Sequence, residues 1–491
     1  MPVRQPVKTL AQHTFVYGIG SIANKFVAIL LIPILTRTLS RADVGFVAII
    51  EMIELFLTSF LVLGMGNGLL RHLNLCPPKD QKALISSVFW IRLALNVVVT
   101  IVLVACRHSW GNFLGIPPEY EYLLPWIFLN GLLVVTGRFY LTLWRFWEQP
   151  QKVILLSLIQ LATHLGLAIF FLLGPAYGVA SLVFSKCIVY GLSTLFTIIS
   201  VLGQYSVQPR WSYFARVGSF GFAFIPLAMV APVLTTSDRF FLNRYVDLST
   251  IGVYSIGYKF GMLINMLLVT PMQMAWLPML FKMNTEKKSA GMIRDLMYYY
   301  SFLAVLVLVL VTVFREEIIL LLATEKYLPG ARFIPVIALA YLANGYRHFF
   351  LAGSALKDRT TPLGIMALVT IGLNLILNYV FIKSMGTWGA AIATVISYVF
   401  LSLSIWYQSD SAWSIQWQWK RIGLLFAWGG FVSFLSFEIF LSNSVYRIGV
   451  EIFWVILFFL GIRVFGLINA REWAGIQSLG TQILQKVKGN R

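Results

Sequence analysis

Acidic residues are scarce in this chain: 19 Asp and Glu stand against 38 Lys and Arg in 491 residues. Charge of either sign is scarce too, at 12% of residues against 59% hydrophobic ones, a balance that excludes a soluble globular protein. Cys76, Cys106 and Cys187 are the only cysteines; their odd number and scattered placement exclude a disulfide framework and a cysteine metal cluster. No loop is long enough to hold a separately folded soluble domain, and no Gly-x-x-x-x-Gly-Lys-Ser/Thr run is present to bind a nucleotide phosphate. The expectation is a polytopic membrane protein that is not an enzyme and needs no cofactor or metal.

Apolar runs of about 20 residues recur along the whole chain, the length needed to cross the hydrocarbon core as a helix. Fourteen candidate spans result, at 14–35, 44–68, 84–106, 122–143, 153–173, 177–202, 217–242, 250–279, 293–314, 333–354, 363–383, 387–407, 421–442 and 446–468. With the N-terminus inside, the inner loops carry roughly twice as many Lys and Arg as the outer ones. Both termini are therefore expected in the cytoplasm. Topogenesis and anionic headgroups account for much of the formal charge of +19, leaving no need for a nucleic-acid partner.

An internal echo organises the spans. Arg37 to Val44 and Gly45, followed by an apolar run, returns as Arg244 to Ile251 and Gly252 with another apolar run. Gly137-Arg138-Phe139-Tyr140 returns as Tyr346-Arg347-His348-Phe349, and Tyr177-Gly178 as Trp388-Gly389. A repeat of six spans returns to its starting side, so the two blocks are expected as parallel six-helix bundles around a central cavity, followed by two extra helices. The expected fold is all-α and integral to the membrane, with an N-terminal bundle over 1–216, a second over 217–410, and two further helices with a basic tail over 411–491.

Charges inside spans are costly, about 2.5–3.5 kcal/mol each at the centre of a helix on the mildest scale, so they are expected to face protein or a wet cavity. Lys25, Arg92, Arg138, Lys259 and Arg347 are the candidate cationic lining of such a cavity. Asn24, Asn96, Asn265, Asn344, Asn374 and Asn378 are candidates for a polar cleft; Asn374 and Asn378, like Arg92 and Asn96, sit one helical turn apart. Lys186 lies nearer the outer end of its span and is expected to snorkel to the headgroups. Glu51 and Glu54 share one turn of the second span. Glu54 matches Lys25 in depth, and the pair reads either as plain neutralisation or as a switch opened by substrate or a proton. Asp238 and Arg239 in the last turn of the seventh span read as an interfacial cap and salt bridge or as a latch on the outer gate. Among the five histidines, His164 reads as structural.

Ser237-Asp238-Arg239-Phe240-Phe241-Leu242, then Ile251 to Lys259 with its Gly252-Val253-Tyr254-Ser255, then Ala275-Trp276-Leu277-Pro278-Met279-Leu280-Phe281, form a recognisable series. Together with Tyr17-Gly18-Ile19-Gly20-Ser21, Pro33 and Thr36 to Ser40, it resembles the polysaccharide-biosynthesis flippases of the multidrug/oligosaccharidyl-lipid/polysaccharide exporter superfamily. The resemblance covers about residues 10–410. It implies an alternating-access transporter of the bacterial cytoplasmic membrane that moves an undecaprenyl-pyrophosphate-linked oligosaccharide to the outer leaflet. Lys and Arg in a cavity suit the pyrophosphate, because they replace lost hydration with charge-assisted hydrogen bonds. A lipid II flippase and a multidrug or cation antiporter of the same superfamily are the alternatives. The Glu51/Glu54 pair permits H+ or Na+ coupling without requiring it. A monomer is expected, in contact with membrane lipids and working beside a polysaccharide polymerase or glycosyltransferases.

Overall fold

The computed structural model describes residues 31–205, 207, 209–280, 287–357, 361–438 and 444–467. Asn24 and Lys25 lie outside the described residues. Among the described residues the secondary structure is helical and no strand occurs. Ten helical segments there are long and apolar enough to cross a membrane. They correspond to ten of the fourteen expected spans. The first candidate falls mostly outside the described residues, and the tenth is a 17-residue helix, Ile334–Phe350, followed by the short Ala352–Leu356. The last two correspond to Trp419–Glu438 and Ser444–Val464, each adjoining residues outside the described set.

The chain forms two compact units, one of Met1–Met283 with Ile318–Trp413 and one of Asn284–Glu317 with Ser414–Arg491. In the second unit, Lys287–Val313 packs against Trp419–Glu438 and Ser444–Val464 around Val305, Val309, Leu425, Trp454 and Phe458. Gly429 lets Val305 sit where a Cβ would be 2.2 Å from its Cγ1. Arg421 lies 4.0 Å over the Tyr298 ring and donates to the Leu467 carbonyl, which also accepts from the Tyr298 hydroxyl. Sequence order assigns the Lys287–Val313 span to the 217–410 block; its packing with the last two spans is not foreshadowed by the repeat.

In the larger unit the echoed motifs are helix starts. Ser40 caps Arg41–Leu61 through a reciprocal box with Asp43, whose backbone N donates to Ser40 Oγ at 3.0 Å while Ser40 N donates to Asp43 Oδ2 at 3.1 Å. Asp247 caps Leu248–Gly261 by accepting from Thr250 N at 2.9 Å and Thr250 Oγ1 at 2.6 Å. Those Thr250 bonds hold the Asp247 carboxyl below its ordinary range.

One turn past each cap comes the glycine of the echo, and the two glycines face each other. A Cβ on Gly45 would lie 1.9 Å from the Leu248 carbonyl oxygen, and one on Gly252 would lie 2.1 Å from the Arg41 carbonyl oxygen. The reciprocity is what a two-fold relation between the repeats produces, with small residues letting two membrane helices approach to backbone contact. A second seam lies at the far end of Arg41–Leu61. Leu63 and Gly64 take positive φ (54° and 63°), and a Cβ on Gly64 would sit 1.9 Å from the Gly221 carbonyl oxygen. The second span thus breaks before resuming as Met65–Leu75. The eighth span changes course at the corresponding depth, where a π-helical stretch, Asn265–Val269, precedes Pro271.

The segment between the third and fourth spans straps the two repeats together. Its helix Arg107–Leu114 leaves carbonyls without intrahelical donors. Asn243 Nδ2 donates to the Leu114 and Gly115 carbonyls at 2.8 Å each, and Arg244 Nη2 donates to Phe113 at 2.7 Å. Lys326 Nζ likewise donates to Leu39 O at 2.8 Å, beyond the end of Ile32–Thr38.

Gly45→Val should therefore destabilise the protein by about 1–3 kcal/mol or more through overpacking. Gly66→Val, at a site with nothing within 4 Å, should leave stability almost unchanged. Thermal unfolding of the detergent-solubilised variants checks the contrast.

Candidate functional site

A cavity of ≈ 350 Å³ opens beside the middle of Arg41–Leu61. Its described lining is mostly apolar, drawn from Leu35, Val47, Ile50, Leu161, Leu182 and Met266 among others. Six polar side chains interrupt it: Glu51, Glu54, His164, Lys186, Lys259 and Asn265. A predominantly apolar pocket with a few convergent polar groups, within the ~300–1,000 Å³ common for ligand sites, has the make-up of a binding site.

Glu51 and Glu54 are three residues apart, which turns their side chains about 60° from each other around the helix. They consequently reach different partners. Glu54 accepts from Lys186 Nζ at 2.5 Å, and Lys186 stands on Ala180–Gln204 of the same repeat. Glu51 accepts from Lys259 Nζ at 2.7 Å, and Lys259 stands on Leu248–Gly261 of the other repeat. The first pair is the more enclosed, with side-chain exposures of 23% and 15%; Glu51 keeps 44% of its side chain open toward the cavity. Glu54 Oε1 is buried without a hydrogen-bond partner among the described residues. His164 Nδ1 shares a hydrogen bond with Ser185 Oγ at 3.0 Å.

Lys259, Glu51, Glu54 and Asn265 thus sit together at the cavity, while Arg92, Arg138, Arg347, Asn96, Asn374 and Asn378 are not in its described lining. Lys25 and Asn24 lie outside the described residues, so the expected Lys25–Glu54 pair has no counterpart among them; Lys186 is the described cation on Glu54. The expectation that Lys186 snorkels is corrected. Its depth is compatible with snorkelling, but the inward rotation of its helix puts the ammonium on a carboxylate instead. The described lining is also charge-balanced, two lysines against two glutamates, where a cationic excess was expected.

Arg92 is buried against the Phe139 face, 5.0 Å from the ring centroid, away from the cavity lining. Arg138 is exposed and donates to the Tyr190 hydroxyl at 2.6 Å. Arg347 is not in the described cavity lining either. Its Nε is buried without a hydrogen-bond partner among the described residues.

The asparagines are mostly spent on packing. Asn96 donates to the Leu61 carbonyl at 3.1 Å, just before the break in the second span. Asn374 accepts from Ser237 Oγ at 3.0 Å and donates to Ser397 Oγ at 2.9 Å; Asn378 donates to Ser237 Oγ at 3.2 Å and to Asn374 Oδ1 at 3.1 Å. This network ties three helices together and stands apart from the cavity lining. Asp238 and Arg239 are buried within the protein on helix Ile225–Tyr245. They pair with each other at 2.6 Å; Tyr254 donates to Asp238 Oδ2 at 2.7 Å, and the guanidinium lies 4.0 Å over the Tyr258 ring. Asn265 alone of the asparagine candidates lines the cavity.

Lys186 and His164 are what the sequence reading missed. The signal available for Lys186 was electrostatic, since Glu54 requires a cation and Lys186 is one of few inside the spans. Nothing in the sequence distinguishes His164.

Replacing Lys186 with Met should destabilise the protein by about 3–5 kcal/mol, because Glu54 is left buried and unpaired. Adding Glu54→Gln should recover most of that loss. A double-mutant cycle read by thermal unfolding measures both, and additive losses would exclude the coupling.

The model of a family described as polysaccharide biosynthesis protein matches residues 34–332. The fold is similar to that of a lipid II flippase, MurJ, in an inward closed conformation, at TM-score 0.72 and 14% identity over 92% of this chain and 99% of that one. It is also similar to an inward-facing multidrug resistance MATE transporter of the MOP superfamily, at TM-score 0.60 and 13% identity over 79% of this chain and 94% of that one. A MOP superfamily transporter from Pyrococcus furiosus aligns at TM-score 0.59 and 14% identity over 83% of this chain and 97% of that one. No curated protein matches the sequence.

Proposed function

This chain belongs to the polysaccharide biosynthesis protein family, and from that premise we propose that it is a flippase that carries an undecaprenyl-pyrophosphate-linked oligosaccharide from the inner to the outer leaflet by alternating access. The observation that carries the reading is the pair of lysine–glutamate bridges in one cavity, one of them, Lys259–Glu51, joining the two repeats. An empty membrane cavity cannot hold bare ammonium groups cheaply, and the carboxylates serve as stand-in anions. An incoming diphosphate offers the same lysines more acceptor oxygens and more charge. Exchange of partners frees Glu51 from Lys259, and with it one tie between the repeats. Binding energy is thereby converted into a shift between closed and open arrangements.

In this reading the protein lies in the bacterial cytoplasmic membrane with both termini in the cytoplasm, works as a monomer, and hands its cargo to a polysaccharide polymerase. Protons or Na+ entering with the freed carboxylates are the candidate driving force. The Asp238–Arg239 pair acts as part of the gate by holding the seventh span to the eighth.

Proteoliposomes carrying the purified protein and a fluorescent diphosphate-linked oligosaccharide lipid test the proposal. The wild type should expose the probe to an external quencher or glycosidase, and Lys259→Gln should reduce the rate at least about tenfold, the loss of one charge-assisted contact. Equal rates for the two proteins would overturn it, and preferential movement of lipid II would reassign the cargo.

A further inference from the structure

Four of the six polar side chains lining the cavity are paired with one another, and His164 is half engaged through Nδ1. Asn265 is different. Its side-chain amide lines the cavity and makes no hydrogen bond to any described residue. It opens the π-helical stretch Asn265–Val269, where the helix widens ahead of Pro271. Pro271 has no N–H to give the carbonyl four residues earlier, and a π-helical turn shifts side chains out of α-helical register.

A neutral amide offers two donors and a carbonyl acceptor, the inventory that sugar hydroxyl and acetamido groups match. It stands six residues beyond Lys259 on the same span, about 9 Å along the axis at helical rise. That offset separates a phosphate-holding point from the first group carried beyond it. Across the cavity, His164 comes from the other repeat, with Nε2 uncommitted to any described residue.

We propose that Asn265, assisted by His164, recognises the sugar attached directly to the diphosphate and so determines which glycan head the cavity accepts. The inference rests on the flippase reading, in which the lysines hold the diphosphate. The charges then give affinity for every diphosphate-linked lipid, and the amide discriminates among heads. A site built to hydrogen-bond a substrate group discriminates strongly against a ligand lacking it, because its polar atoms are left unpaired.

Two probes separate the roles: undecaprenyl diphosphate alone, and the same lipid bearing one N-acetylhexosamine. Binding of each to the full-length protein in nanodiscs is measured for the wild type, Asn265→Leu, Asn265→Gln, His164→Phe and Lys259→Gln. Asn265→Leu should weaken the sugar-bearing probe about tenfold and leave the bare diphosphate within about twofold, with partial recovery in Asn265→Gln. His164→Phe should show a smaller loss of the same selectivity, and Lys259→Gln should weaken both probes. Equal weakening of both probes by Asn265→Leu, or no change in either, overturns the sugar role. Failure of the wild type to bind either probe overturns the flippase reading itself. Unchanged thermal midpoints in the Asn265 variants, expected because the amide makes no hydrogen bond to any described residue, keep folding out of the comparison.

Discussion

The cost of carrying charge inside a membrane governs this molecule. A lone ammonium or carboxylate there is expensive, and a pair at 2.5 or 2.7 Å recovers much of the cost through attraction at low dielectric. Two such pairs at one cavity set the architecture around them. The second span supplies both acids, so the sixth and eighth must each present a lysine to it, which fixes their rotation about their own axes. What is neutralised internally remains exchangeable. A site built this way is quiescent when empty and receptive to an anion, whereas an unpaired basic cavity would be costly to maintain.

The glycines make that arrangement possible. Salt bridges between helices need the helices close, and Gly45 and Gly252 bring the second and eighth spans to backbone contact near their capped ends. Gly64 and Gly221 bring the second and seventh spans to backbone contact at the opposite end of the Arg41–Leu61 helix. Glu51 and Glu54 fall between these two seams. The sequence echo that marks the repeat is therefore the pair of N-caps and glycines through which the repeats touch, and its two copies are reciprocal in space as well as in order.

Much of the fold was legible from composition alone, since apolar runs, the charge deficit and the six-span echo all follow from the physics of the bilayer. The acids of the second span and Lys259 were legible because intramembrane charges are few. Rotation about the helix axis was not. In a soluble protein the polar face of a helix shows which side is buried, but a span is apolar all round and gives no such contrast. Arg92 reads as deep and as basic as Lys259, and Arg138 and Arg347 as equally basic though nearer the cytoplasmic surface, yet Arg92 settles on Phe139 and Arg138 on Tyr190. Asn374 and Asn378 were correctly seen to share a face, but that face meets Ser237 and Ser397 in neighbouring helices. Lys186 was misjudged for the same reason: depth can be counted along a sequence, direction cannot.

The strap over the repeats has an implication of its own. Asn243 and Arg244 grasp main-chain oxygens of Phe113, Leu114 and Gly115, and those atoms are present whatever side chains the residues carry. The strap is read by its path, so its letters are free to drift while its length is not. Inserting or deleting a single residue between the third and fourth spans would slide the Phe113, Leu114 and Gly115 carbonyls past Asn243 and Arg244, a heavier lesion than rewriting most of the segment.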